Sequence, residues 1–143
     1  MKRVKRRVVI TGLGVISPCG HGKEAFWQGT TSGLSAVGPI TRFDASDIST
    51  RIAAEVKNFD PADYMDKRDA KRMDRFAQYA VAAARQAEKD SGLDLSKEDP
   101  HRIGTWIGSG IGGVETFEQQ HNIYLEKGAG RVSPFFVPML ILN

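Results

Sequence analysis

Residues Arg102 to Val114 read RIGTWIGSGIGGV, and the fold is decided by how this stretch is understood. Ile103 to Ile107 has the make-up of a buried strand, and it runs directly into a glycine-dense turn. Gly104, Gly108, Gly110, Gly112 and Gly113 leave little besides Ser109 and Ile111 to project from that turn. Glycine reaches backbone angles that strain other residues, and it lets a second group approach the main chain closely. The turn is therefore either a tight packing corner or the wall of a binding site. Ile111 is the bulky apolar group that it holds out.

Working outward, Leu93 to His101 is a polar connection leading into this strand. Before it, apolar groups at Met73, Phe76, Ala77, Ala80, Val81, Ala84 and Ala87 follow helical spacing. They predict one helix from about Asp69 to Lys89 with a single buried face. Its alanines predict close packing on another backbone, and Gly92 is placed to end it as a left-handed cap. At about 100° per residue, Arg68, Lys71, Arg72 and Arg75 fall on the opposite, solvent side. Beyond the glycine turn, Glu115 to Lys127 is a second helix, stopped by Gly128-Ala129-Gly130.

The flanks are less regular. Arg7 to Thr11 is β-branched at four of its five positions, as in a strand buried on both faces. Gly12 and Gly14 break it, and Ser17-Pro18-Cys19-Gly20 is a turn. A short helix is expected from about Lys23 to Gln28, stopped by Gly29. Residues 29–50 form a long surface excursion, Arg51 to Val56 a short edge strand, and Asp60-Pro61 a cap and first helical position. At the other end, residues 134–143 grow more apolar up to Asn143, as in the opening of a buried helix. Two firm strands and one weak one are few for a closed α/β core. We therefore expect the 143 residues to be part of a longer protein.

Composition narrows the function classes. The chain is 41% hydrophobic and 26% charged with a formal net charge of +3, values of a globular domain. Basic groups crowd Lys2, Arg3, Lys5, Arg6 and Arg7, and again Lys67 to Arg75. Neither cluster is interleaved with aromatics, so no nucleic-acid partner is expected. No apolar run approaches the roughly 20 residues that span a bilayer, so no membrane partner is expected either. Cys19 is the single cysteine, which excludes an intrachain disulfide and suits a reducing, cytoplasmic setting.

Several motifs invite other readings. Gly108-Ser-Gly110-Ile-Gly112-Gly113 satisfies the dinucleotide fingerprint G-x-G-x-x-G. That site also needs an acid about 20 positions on, at the end of a second strand, and Glu126 falls in a predicted helix instead. Cys19 lies near His21, but adjacency in sequence does not make a nucleophile–base pair. His101 and His121 lack metal-ligand spacing. No metal and no cofactor are expected.

Four ordered motifs carry a resemblance: VVITGLGVISPCG, KRMDRFAQYAVAAA, IGSGIGG and RVSPFFVP. Together they resemble the β-ketoacyl-acyl carrier protein synthase II family, the condensing enzymes of bacterial type II fatty-acid synthesis. The likeness runs from Arg7 to Asn143. It implies an α/β thiolase-like fold of two similar halves, each a mixed sheet packed with helices, assembled as a homodimer. Residues 1–143 would be part of the N-terminal half, with an incomplete sheet. It also implies a decarboxylating Claisen condensation between an acyl-enzyme and malonyl-acyl carrier protein. The family's nucleophilic cysteine and two histidines do not match Cys19, His21, His101 or His121, so catalytic residues are expected beyond Asn143 and this chain alone should be inactive. Ile111 on its turn with Gly110, and Phe136, match acyl-pocket positions. Arg68, Lys71 and Arg72 match positions that meet the acidic carrier protein. A non-catalytic thiolase-like chain-length subunit, and a nucleotide-binding α/β domain, are the competing readings.

Overall fold

The computed structural model of the chain describes residues 6–141. The basic positions Lys2, Arg3 and Lys5 and the terminal Leu142-Asn143 lie outside the described residues. The expected strand at Arg7 to Thr11 forms no ladder, and Ile10 is 82% exposed. A β-branched run can pair, but pairing needs a neighbour, and none lies beside it among the described residues. The residues that follow it, 12–15, are pinned to a helix. The Leu13 amide donates to Asp90 at 3.0 Å and the Val15 amide to Gln86 at 2.9 Å. Gly12 and Gly14 lie directly on the carbonyls of Ala87 and Ala83, where any side chain would collide. This is the close approach that the alanine face predicts.

β1 (Ile16–Ser17) and β2 (Gly20–His21) form an antiparallel hairpin through the Pro18-Cys19 turn. α1 (Lys23–Thr31) follows and runs past the expected stop. Gly29 does not end it. Gly29 is buried against the Cys19 carbonyl, so here glycine serves packing. β3 (Val37–Pro39) lies inside the expected loop and pairs antiparallel with β4 (Ile52–Ala54), the expected edge strand. Glu55 supports this pair by accepting from the Thr41 amide at 3.0 Å and the Thr41 hydroxyl at 2.6 Å. Asp60 caps a 3-10 turn at Pro61–Asp63 as expected.

The long helix proves to be two. α2 (Lys67–Ala70) ends, and α3 (Arg75–Ser91) begins anew after Asp74, whose carboxylate caps it. Arg68, Lys71 and Arg72 therefore sit on α2 and the junction, not on the outer face of α3, although all three are exposed. Arg75 is half-buried and donates to the Tyr79 hydroxyl at 2.7 Å. Gly92 closes α3 in the left-handed conformation with φ 66°, as expected. α4 (Val114–Lys127) and α5 (Phe136–Leu140) complete the helices. α5 buries none of its residues, contrary to the expected buried helix. Ile103 to Ile107 joins no ladder, and Trp106 is 98% exposed. The described sheet is thus two separate antiparallel pairs.

The core is thin. Met65, Ala70 and Ala82 are its buried apolar members, beside buried Asp74 and Thr116. Phe59 joins the surrounding elements, stacking on Tyr64 at 5.8 Å and meeting Tyr79 edge-on at 4.8 Å.

Candidate functional site

The glycine turn, the start of α4, the α2–α3 junction and α5 meet in one place. Ser109 Oγ accepts from the Gly112 amide at 3.0 Å, which folds the turn back on itself. Gly112 has φ 82°, a conformation that requires glycine. The Gly113 amide then donates to the Leu140 carbonyl at 2.9 Å, tying the turn to α5. A Cβ on Gly113 would stand 2.7 Å from the Met139 carbonyl oxygen and 3.0 Å from Asp74 Oδ2. The turn is a tight packing corner at Gly112 and Gly113. Gly104, Gly108 and Gly110 are open, with nothing near enough to exclude a side chain.

Asp74 holds this corner together, a role that sequence reading missed. It is 7% exposed. One carboxylate oxygen accepts from the Phe76 amide at 3.4 Å, at the start of α3. The other accepts from the Thr116 amide at 2.9 Å, in the first turn of α4, where Thr116 is 4% exposed. A single anion thus caps two helices, and both have the positive ends of their dipoles beside it. The sequence does carry the first half of this: an acid immediately before Arg-Phe-Ala is an N-cap pattern.

Ile111 projects from the turn and is 80% exposed. Among the described residues it faces no apolar wall, so a pocket role requires a surface from outside them. Phe136 is half-buried and tilted against Phe117, with ring centroids 6.1 Å apart. Phe117 in turn stacks on His121. An open apolar groove of about 310 Å³ lies beside the turn, lined by Phe76, Ala77 and Val81 of α3, by Ile107, and by Pro138 and Met139 of α5. Arg72 also lines this groove and lays its guanidinium over the Phe135 ring at 4.7 Å. The structure therefore brings one of the three basic positions to Phe135, the residue before Phe136. It gives Arg68 and Lys71 no such contact.

The remaining reactive groups are scattered. Cys19 is half-buried in the β1–β2 turn, and His21 packs edge-on to Phe59. His121 stacks on Phe117, and His101 lies exposed in a 3-10 turn. Among the described residues no cluster of His, Cys, Asp or Glu could hold a metal ion. No helix among them is long and apolar enough to cross a membrane. Away from the corner, Asp90 is held below its ordinary value, chiefly because Lys23 donates to it and then because the Leu13 amide does. Lys23 is correspondingly raised by the Asp90 hydrogen bond.

Comparison with known proteins gives this geometry a family. Residues 5–143 match the model of the β-ketoacyl synthase N-terminal domain. The chain is 52% identical over 136 residues to 3-oxoacyl-[acyl-carrier-protein] synthase 2 of Staphylococcus aureus (strain COL), covering 95% of this chain and 33% of the relative. Among solved structures, the ishigamide ketosynthase/chain length factor superposes with a TM-score of 0.82 at 33% identity, over 96% of this chain and 34% of that one. A type II PKS acyl-carrier protein in complex with its ketosynthase bound to the hexaketide gives 0.77 at 26% identity, over 96% and 35%. The chain spans about a third of the length of the curated relatives it matches. It has the N-terminal part of a thiolase-like ketosynthase fold, and it belongs to the β-ketoacyl synthase N-terminal domain family.

Proposed function

We propose that this chain supplies part of the N-terminal half of a β-ketoacyl-acyl carrier protein synthase that elongates fatty acyl chains. An acyl group carried as a cysteine thioester meets malonyl-acyl carrier protein. The malonyl thioester loses carbon dioxide, and the carbanion left behind attacks the acyl carbonyl. The cysteine departs as thiolate, and the carrier leaves with a 3-oxoacyl group two carbons longer. A lowered pKa keeps such a thiol nucleophilic at neutral pH. Cys19, His21, His101 and His121 do not match the family's nucleophile and two histidines. The nucleophile and its histidines therefore belong to residues other than these, and the 143-residue chain by itself is inactive.

The carrying observation is the 52% identity to a named 3-oxoacyl-[acyl-carrier-protein] synthase across 95% of the chain. In this reading Ile111, Gly110 and Phe136 serve the acyl pocket, and Arg68, Lys71 and Arg72 meet acyl carrier protein. The carrier-bound ketosynthase among the structural neighbours supports that partner. The synthase is a cytoplasmic homodimer without cofactor or metal. The test is a protein of the relatives' length containing this chain, given acyl- and malonyl-acyl carrier protein. It should release carbon dioxide and 3-oxoacyl product in equal amounts, and the 143-residue chain alone should release neither. A second reading, a non-catalytic chain-length subunit, draws on the likeness to a ketosynthase/chain length factor. Failure to release carbon dioxide with any acyl length would favour it.

A further inference from the structure

Arg72 occupies a position at which two demands meet. Its guanidinium lies 4.7 Å from the centroid of the Phe135 ring. Phe135 is built into the first turn of α5: its carbonyl accepts from the Met139 amide at 2.9 Å, and its own amide donates to Ser133 Oγ at 3.1 Å. Whatever fixes the Phe135 ring therefore fixes the start of α5, and Phe136 is the next residue. Arg72 itself is exposed and forms no salt bridge with a described carboxylate.

A guanidinium can satisfy an aromatic ring and an anion together. It stacks through its flat face, while its five N–H donors lie in the plane and point outward. The Phe135 contact brings Cζ to 4.7 Å from the ring centroid, and with no described carboxylate paired to it the guanidinium keeps N–H donors for a carboxylate or phosphate of an acidic partner. An ammonium has no such division, so lysine would have to choose. Two residues along, Asp74 holds the first turn of α4 and hence the turn that carries Ile111. The junction at residues 72–74 thus touches Phe135 on one side and the glycine corner on the other.

We propose that Arg72 is a positioning residue that couples carrier docking to acyl-length selection by holding Phe135, and through it Phe136, at the start of α5. This rests on the synthase reading for its functional half, while the structural half stands alone. The test uses the protein of the relatives' length with Arg72→Ala and Arg72→Lys. Short and long acyl groups are presented on the carrier and, separately, as coenzyme A thioesters that carry no docking protein. A cation–π contact at an exposed site corresponds to a change of about 2- to 5-fold. We expect Arg72→Ala to shift the long-to-short ratio of kcat/KM by that much with coenzyme A thioesters, where docking plays no part. Arg72→Lys should restore the KM for carrier more fully than it restores the length ratio.

Amide exchange supplies the readout that does not depend on turnover. The Met139 amide should exchange about 2- to 5-fold faster in Arg72→Ala. Unchanged exchange at Met139 overturns the positioning role whatever the kinetics show. An unchanged length ratio with coenzyme A thioesters, alongside a raised KM for carrier, reduces Arg72 to a docking charge and overturns the coupling. Absence of condensation by the unaltered protein overturns the synthase reading and the coupling with it, and Met139 exchange still decides the positioning.

Discussion

Replacing Asp74 by alanine removes one carboxylate and uncaps two helices. At the start of α3 the loss is an N-cap, which costs about 1 kcal/mol when alanine takes the place of aspartate. The Phe76 bond is long at 3.4 Å, so this half belongs at the weak end. At α4 the loss is heavier. The Thr116 amide is left without its 2.9 Å acceptor in a residue that is 4% exposed, so water cannot readily replace it. An orphaned buried donor costs about 1–3 kcal/mol. The sum is about 2–3 kcal/mol, concentrated at the beginning of α4. Two kcal/mol corresponds to about a 30-fold change in a local opening equilibrium. Amide exchange over residues 112–118 of the full-length protein reads this directly, and exchange at Thr116 should accelerate by about that factor. Asp74→Asn should fall between, because asparagine caps one helix well but has a single acceptor oxygen for two amides. If Thr116 exchanges within about 3-fold of its original rate in Asp74→Ala, well below that expectation, the carboxylate is not what secures the corner.

Four further outcomes follow from the same geometry. In the full-length synthase, Ile111→Phe should depress kcat/KM for long acyl groups at least about 10-fold more than for short ones, since bulk in an apolar slot discriminates by about 1–3 kcal/mol; equal losses at both lengths would remove Ile111 from the pocket. Arg68→Glu with Lys71→Glu should slow carrier association by about 10-fold or more at low salt and progressively less as salt is added, as charge steering requires; an unchanged association rate at low salt rules out the docking role. Gly113→Ala should destabilise by about 1–3 kcal/mol, because its Cβ meets the Met139 carbonyl, whereas Gly110→Ala, which meets nothing, should be nearly neutral in a denaturation midpoint. Asp90 should titrate below the ordinary 3.8 by carboxyl-carbon NMR, and Lys23 above 10.5 by NMR of its Cε. The carboxylate's contribution to stability is then present above 3.8 and lost as pH falls through its lowered midpoint, while that of Lys23 is present below 10.5 and lost as pH rises through its raised one. A midpoint for Asp90 at or above 3.8 would mean that the bonds from Leu13 and Lys23 to Asp90 do not form in solution.

What the sequence disclosed was local. The caps at Asp60 and Gly92, the turn at Ser17 to Gly20 and the span of α4 each depend on a few neighbouring residues, and each lies where the pattern places it. The break between α2 and α3 was hidden because the apolar stripe continues through it. Met73, Phe76 and Ala77 keep helical spacing across the junction, and periodicity records faces rather than the backbone ladder. Gly29 misled for a related reason. Glycine both ends helices and admits a close neighbour, and only the Cys19 carbonyl lying against it distinguishes the two. The runs at Arg7 to Thr11 and Ile103 to Ile107 have strand composition, but a ladder belongs to two segments, and neither run has its neighbour among the described residues. At the candidate site, the Arg72–Phe135 contact and the second half of the Asp74 clasp join segments distant in sequence, so no local pattern announces either.

The same corner explains why a good dinucleotide fingerprint need not bind a nucleotide. A glycine turn leading into a helix attracts phosphate because the first amides of the helix point outward unpaired. Here the Thr116 amide is taken by Asp74, and the Gly113 amide is taken by Leu140. The gain from placing an anion at a helix start is about 0.3–1 kcal/mol, reaching about 2 in partly buried sites. A phosphate about 4 Å from the Asp74 carboxylate would meet a repulsion of about 4 kcal/mol per unit charge at an effective dielectric constant near 20. Repulsion wins by a clear margin. The helix has its anion already, built into the chain, and the glycines serve a different end: Gly112 and Gly113 let α5 close over the turn, while open Gly108 and Gly110 leave Ile111 free of its own backbone surroundings. Asp74→Asn removes the repulsion and keeps the glycines. If that variant bound a dinucleotide at micromolar concentration and the original chain did not, the fingerprint would be a latent nucleotide site suppressed by one carboxylate. We expect neither to bind, since the Gly113 amide remains committed to α5 in both.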